Sequence, residues 1–549
     1  MSDLPAELWT QVFDLAADED VIFQLGLPTI MAESAWFKNF FGEWTLRSLQ
    51  DALDLVQRRS YATKKAIVRT CKKWRSLGSE FLYRCLFFND PARLLALCDI
   101  FDSSSAAATT STASLGWWTR RIHLTRYYAN STRGTTPESL QDALISIIRH
   151  CPNLEIFIID WPMAGSTFGP IADALATFTS KSLRTLHINV PSSALPKVIW
   201  ALDSLPRVFA AHIELEVATP DDELSASDDT HLGAAGDITL RLPALHQLTL
   251  RGHIQEFLEQ ATGWTLPSLR HLSIDCGTRR TDLPDTLSFL AAHGAPLLFL
   301  DLHSIPAMPL PRILVACPTL TTLAFNADWR VIVPDDDDAE ADTPPLAHEC
   351  LTSVGLHGLM YAFDVGYAAA HAQTDPLPAL IVTSANDRNI TALCDRARFP
   401  ALRRIRALSR SLLKDLDRAN GPGPEGGMER WERWWEACRR VGVRLEDCTG
   451  GLLGELPQDE PESESSDEDE EEEEDEDGEF QISIPPLAPQ GGAGSNIDEL
   501  RQLLEECRAM DEGRDDNYMY ASAGIAGFSN IPPVASGSES SPAGSESES

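Results

Sequence analysis

The chain has 549 residues, 43% of them hydrophobic, and carries 82 acidic against 45 basic residues for a formal charge of −37. That balance excludes a nucleic-acid backbone as the main ligand, because binding one requires clustered Lys and Arg that release counterions. Eleven cysteines with no CxxC pair and no Cys/His cluster at zinc spacing argue for reduced thiols, and neither a metal nor any other cofactor is expected.

The opening MSDLPAELW lacks the basic-then-apolar order of a signal peptide. No stretch reaches about 18 apolar residues without charge, Pro or His, so no membrane association is expected and the location should be cytoplasmic and/or nuclear. LPAELWTQVFDLAA reads as an amphipathic helix entered through Pro5, with Leu8, Val12, Phe13 and Leu15 as its apolar positions. A second helical stretch, TKKAIVRTCKKWRSLGSEFLYRCLFF, places Ile67, Val68, Cys71, Trp74 and Leu77 at three- and four-residue intervals. Between the two lies an insertion at about 18–61 that includes the aromatics Trp36, Phe37, Phe40, Phe41 and Trp44.

From about Leu115 a strand-like phrase recurs: LEIFII, LRTLHI, LHQLTL, LRHLSI, LLFLDL, LTTLAF, LTSVGL and LRRIRA, starting at Leu154, Leu183, Leu245, Leu269, Leu297, Leu320, Leu351 and Leu402. The spacing of the middle phrases matches the 20–29 residues of leucine-rich repeats, and Pro before many phrases fixes the turn into the strand. No regular Asn or Cys follows the last apolar position, which predicts an irregular solenoid. Side chains alternate along a strand, so the leucines point inward and Thr185, His187, Asn189, Gln247, Thr249, Arg251, His271, Ser273, Asp275, Phe299, Asp301 and His303 point to the other face. Of these, His187, Gln247, Arg251, His271, Asp275, Asp301 and His303 are the candidates for binding a protein substrate, whose identity the sequence leaves unknown. MERWERWWEACRRVGVRLED, with Trp431, Trp434, Trp435 and Cys438 on one face, is expected to supply the helix and last strand that close the solenoid.

After Asp447 the composition turns acidic, with 17 Asp and Glu and no Lys or Arg from Glu455 to Glu479, and then rich in Gly, Ser and Pro. Such a segment cannot bury enough apolar surface to offset chain entropy, so 451–549 is expected to be a disordered tail. Within it Ser465 and Ser466 suit acid-directed kinases, and SNIDELRQLLEECRAM has the pattern of a short helix.

The N-terminal stretches resemble F-box domains, in particular the F-box-like proteins of mushroom-type fungi with divergent leucine-rich repeats. The likeness rests on Leu4-Pro5-x-Glu7, the helix residues Leu8, Val12 and Phe13, then Val68, Cys71-x-x-Trp74 and the segment Phe81-Leu82-Tyr83. It implies an α/β chain in three parts: a short α-helical F-box over 1–100, an irregular leucine-rich-repeat-like solenoid over 115–450, and the acidic tail. It also implies a substrate-recognition adaptor of a Skp–cullin–F-box ubiquitin ligase. Leu4, Pro5, Leu8, Val12, Phe13, Val68, Cys71 and Trp74 would dock the Skp-type adaptor, and the cullin scaffold would lie beyond it.

No GxxxxGK[ST], GxSxG, HExxH or kinase signature occurs, so an enzyme is not expected. Gly421 to Gly426 satisfies GxGxxG, but it follows no strand and Pro422 and Pro424 remove the N–H donors that a pyrophosphate needs. The alternative is a free-standing leucine-rich-repeat interaction protein whose acidic tail binds basic partners such as histones.

Overall fold

The recurring phrases become strands of one parallel sheet. A computed structural model describes residues 4–452, with interruptions at 39–43, 89–91, 108–113, 126–135, 217–231, 277–283, 305–309, 329–346, parts of 364–375, 413–426 and a few single positions. The acidic tract, Ser465 and Ser466, the 495–510 segment and the GxGxxG string lie outside the described residues. The described part is mixed α/β.

Four helices open it: α1 (Ala6–Ala16), α2 (Glu19–Ile22), α3 (Leu49–Thr70) and α4 (Lys72–Arg84). Between α2 and α3 a hairpin pairs β1 (Ala35–Lys38) with β2 (Trp44–Arg47). The sheet follows with β3 (Cys85–Phe88), β4 (Arg121–Leu124), β5 (Ile156–Pro162), β6 (Thr185–Pro191), β7 (Ala210–Glu216), β8 (Gln247–Gly252) and β9 (His271–Asp275). It continues with β10 (Phe299–Ser304), β11 (Thr322–Asn326), β12 (Ser353–His357), β13 (Arg404–Ala407) and β14 (Arg444–Glu446). These twelve strands stand side by side in chain order, every described pair parallel.

One local design repeats. In five phrases the leucine N–H closes a turn on the carbonyl of an apolar residue three back: Leu154 on Cys151, Leu245 on Leu242, Leu269 on Leu266, Leu320 on Cys317, Leu402 on Phe399. In these five turns Pro152, Pro243, Pro267, Pro318 and Pro400 occupy the second position, where the fixed φ of proline is already correct. The two residues after the leucine both donate to one carbonyl of the preceding unit, as Arg184 and Thr185 do to Glu155 O, and Arg270 and His271 to His246 O. Each unit is thereby registered on the one before it, and the leucines point away from the polar face into a buried core.

All eight phrases read from the sequence are strands, and the helix Gly427–Arg440 followed by β14 ends the sheet. Two differences concern the start. The long stretch 63–88 is not one helix: it breaks at Cys71, which caps α4 by accepting from Trp74 N at 3.4 Å, and its end, Cys85–Phe88, is the first strand of the sheet. The sheet therefore begins inside the 1–100 region. The strands β4 and β7 escaped the leucine pattern because Thr119 and Val208 stand where the eight phrases have leucine. Thr119 is buried there and donates to Tyr83 O at 3.0 Å.

The helical opening has its own small core. Phe13, Ile67 and Phe81 are buried, with Trp9, Trp74 and Leu77 packed against them. Phe13 meets Trp74 and Phe81 edge-on at centroid distances of 5.3 and 5.8 Å, the arrangement that aromatic quadrupoles favour. Asp14 accepts from Arg84 at 2.8 Å and ties α1 to α4.

Candidate functional site

Two surfaces stand out, one on the helical opening and one on the sheet. On α1 the apolar residues divide between two sides. Phe13 is 1% exposed and belongs to the core, whereas Leu8 (44%), Val12 (45%) and Leu15 (78%) face outward with Leu4 beside them. Their spacing of four and three residues forms a ridge along one side of the helix. Pro5 is exposed at its start, Val68 is half-buried against Gly78, Cys71 is exposed, and Trp74 is half-buried against Trp9 at 4.7 Å. Of the eight residues expected to dock an adaptor, Leu4, Pro5, Leu8 and Val12 thus form an exposed patch. Phe13 and most of Trp74 instead hold the helices that carry it.

On the sheet, pairing aligns the outward positions into rows. One row runs Arg121, Ile156, Thr185, Ala210, Gln247, His271, Phe299, Thr322, Ser353 and Arg404. The next runs from His123 through His187, His212, Ser273 and Asp301 to Gly355, Arg406 and Glu446. Every one of the seven predicted substrate residues lies on this face, but they are tied into a network. His123 bridges the Gln57 amide of α3 (3.0 Å) and Asp160 (3.0 Å). His187 lies 3.5 Å from Asp160 and stacks on His212 at 4.0 Å. Arg251 pairs with Glu214 and Asp275, His303 with Asp275, and Asp301 accepts from Ser273 (2.8 Å) and pairs with His357 (2.8 Å). His271 is half-buried beside Phe299.

The network sets charge states. Burial works against ionisation of Asp160, but the hydrogen bond from His123 and the neighbouring imidazoles outweigh it and bring its carboxyl down to about 2. Burial holds His212 well below the ordinary imidazole range, and His187 and Arg251 push the same way. Burial also works against protonation of His303, yet Asp275 and Asp301 raise it above the usual value. Since the folded-state pKa of Asp160 is depressed, its stabilisation is present above the unfolded value near 4 and is lost as pH falls through 2. Asp160→Asn should therefore cost ~2 kcal/mol at pH 7, from a shift of about two units, and the difference from wild type should vanish below pH 2 in urea unfolding.

The insertion proves to be the main occupant of this face, which the sequence reading left without a role. Leu27 precedes Pro28, which confines it to extended backbone, and residues 22–34 cross the sheet as a strap. Arg121 donates to Ile22 O (2.6 Å) and Thr185 to Leu25 O (2.6 Å). Gln247 grips Leu27 at both ends, its Oε1 accepting from Leu27 N and its Nε2 donating to Leu27 O, each 2.9 Å. Further along, Met31 packs with Phe299, Ala324 and Leu408, and Ser34 N donates to Cys448 O (2.9 Å). Arg406 donates to Met31 O (2.7 Å), Glu33 (2.9 Å) and Glu446 (2.7 Å). Gln247 and Asp301 are thereby committed within the chain, while His187, Arg251, His271, Asp275 and His303 keep partial exposure.

No known protein family and no curated protein matches this chain. Among the described residues no group of three or more His, Cys, Asp or Glu side chains is placed to hold a metal ion, and no described helix is long and apolar enough to cross a membrane. Sequence reasoning missed Gln57, Asp160, His212, Arg406 and the strap. The signal for the strap was present in Phe23, Leu25, Leu27 and Thr29, which alternate with Gln24, Gly26 and Pro28 at the period of an extended chain.

Proposed function

We propose that the chain is the substrate-recognition adaptor of a Skp–cullin–F-box ubiquitin ligase, with helices α1, α3 and α4 as an F-box-like docking module. The sequential parallel sheet is then a leucine-rich-repeat-like solenoid that presents a protein target. The observation that carries the reading is the exposed ridge of Leu4, Leu8, Val12 and Leu15, set on a helix whose opposite side is locked into an aromatic core. A soluble domain gains nothing from four exposed apolar side chains on one helix side unless a partner covers them. The F-box-like residues quoted from the sequence fall on these same helices or, for Leu4, Pro5 and Cys71, at their N-terminal ends. In such a ligase the chain performs no chemistry itself. It holds the target near the charged ubiquitin carrier on other subunits and raises its effective concentration there.

The test is binding of a purified Skp-type adaptor to the full chain and to the double variant Leu8→Asp/Val12→Asp. Both changes lie on the exposed side, so melting should be unaltered, while two charges placed in an apolar interface without partners should reduce binding at least a hundredfold. Equal binding by the double variant would remove the ridge from the account.

A further inference from the structure

We infer that residues 22–34 are an intramolecular ligand of the sheet, and that the face beneath them takes an extended segment of a partner polypeptide in their place. This deepens the reading of the sheet as a target-binding surface and does not depend on the adaptor.

The contacts are of a kind that any extended chain can satisfy. Arg121, Thr185, Gln247 and Arg406 all address strap main-chain groups, at Ile22, Leu25, Leu27 and Met31. The strap is open chain at Gln24 and 27–29 and turns at 29–32, where Ala32 N donates to Thr29 O at 3.0 Å, so an occupant needs extended backbone chiefly around the residue held by Gln247. Fewer contacts involve strap side chains: Glu33 pairs with Arg406 at 2.9 Å and the Phe23 ring lies under Arg120 at 4.7 Å. Ile22 and Met31 are buried, while the residues between them alternate between exposed and half-buried.

The floor under Met31 is made for an incoming side chain. A Cβ added to Gly355 would lie 2.6 Å from Met31 Sδ and 2.7 Å from Leu408 Cδ1, so glycine at this strand position leaves a socket. The occupant has definable chemistry. It is an extended polypeptide with one residue whose N–H and C=O both meet Gln247, and an apolar, flexible side chain four positions later that enters the socket. The strap satisfies both ends of the Gln247 amide and one guanidinium nitrogen of Arg406, so an incoming segment must offer a main-chain N–H and carbonyls at the same places. Because the strap is tethered, it competes at an effective concentration in the millimolar range, which sets a threshold that a partner must exceed.

The experiment uses the full chain and a fluorescein-labelled synthetic peptide of residues 19–35. In a released variant, residues 22–31 are replaced by alternating Gly and Ser. The peptide should bind this variant saturably and at least tenfold more tightly than it binds wild type, and adding Gln247→Ala should remove most of that gain. Equal binding to both proteins, binding to neither, or indifference to Gln247→Ala would overturn the inference. A measurement on unmodified protein guards against a variant that does not fold. Hydrogen exchange at Leu27 N–H should be at least tenfold faster than at the sheet amides of Leu248 and Leu250, since the strap must lift without unfolding the sheet. Exchange of Leu27 only together with the sheet would overturn the inference equally.

Discussion

Replacing Arg406 by alanine should destabilise the protein by about 3–5 kcal/mol, the usual cost of breaking a buried ion pair by removing one partner. Arg406 is only 1% exposed, although it carries a full positive charge. Its guanidinium meets Glu446 through two nitrogens, at 2.7 and 3.1 Å, and also donates to Met31 O and Glu33. Alanine would leave Glu446, itself 3% exposed, with Arg444 at 3.0 Å as its one cationic partner among the described residues. Three structures would loosen together: β13, the terminal strand β14, and the C-terminal end of the strap. Arg406→Lys should recover part of the loss, because a lysine keeps the charge but lacks the planar fork. Arg406→Ala combined with Glu446→Ala should cost less than the sum of the single changes, the mark of a direct interaction. Chemical unfolding of the four proteins measures both effects, and a strictly additive cycle would contradict the pairing.

Phe13→Ala should be comparably severe, at about 3–5 kcal/mol for a buried aromatic, but its consequence is confined to the helical opening. Phe13 contacts Trp9, Trp74 and Phe81, so its loss empties the centre of that small core. Beyond this core α1 is tied to α4 by the Asp14–Arg84 pair, and Asp14 is 42% exposed, which makes the pair a weak substitute. The expected result is a protein whose sheet melts as before while α1 exchanges its amides freely. Adaptor binding falls with it, because the ridge residues lose their fixed spacing. Leu8→Asp/Val12→Asp should abolish binding with α1 still protected, so the two variants separate the scaffold from the surface it presents.

Much of the sheet was legible because its units repeat a strong signal. A buried leucine and a period of two recur in all eight phrases, five of them behind a proline-fixed turn, and each became a strand. The signal failed where chemistry replaced leucine: at Thr119, which needs the Tyr83 carbonyl, and at Val208, which fills the same place with a smaller side chain. Local pattern also could not show that Cys71 would end one helix and begin the next, since the apolar stripe from Ile67 to Leu77 runs through the break. The candidate sheet site was half legible. Alternation put His187, Gln247, Arg251, His271, Asp275, Asp301 and His303 on one face, but their partners come from distant sequence. Gln247 meets Leu27 across 220 positions and Arg406 meets Met31 across 375. No periodicity within a strand carries that information.

The central claim is that the helical opening docks a Skp-type adaptor while the sheet face remains available for a target. Hydrogen exchange of the full chain with and without a saturating Skp-type adaptor tests it most directly. The account predicts a one-to-one complex in which α1 and the residues around Cys71 become protected, with no change at Gln247, His271 or Arg406. Absence of a complex, or protection that falls on the sheet face and leaves α1 unchanged, would contradict it.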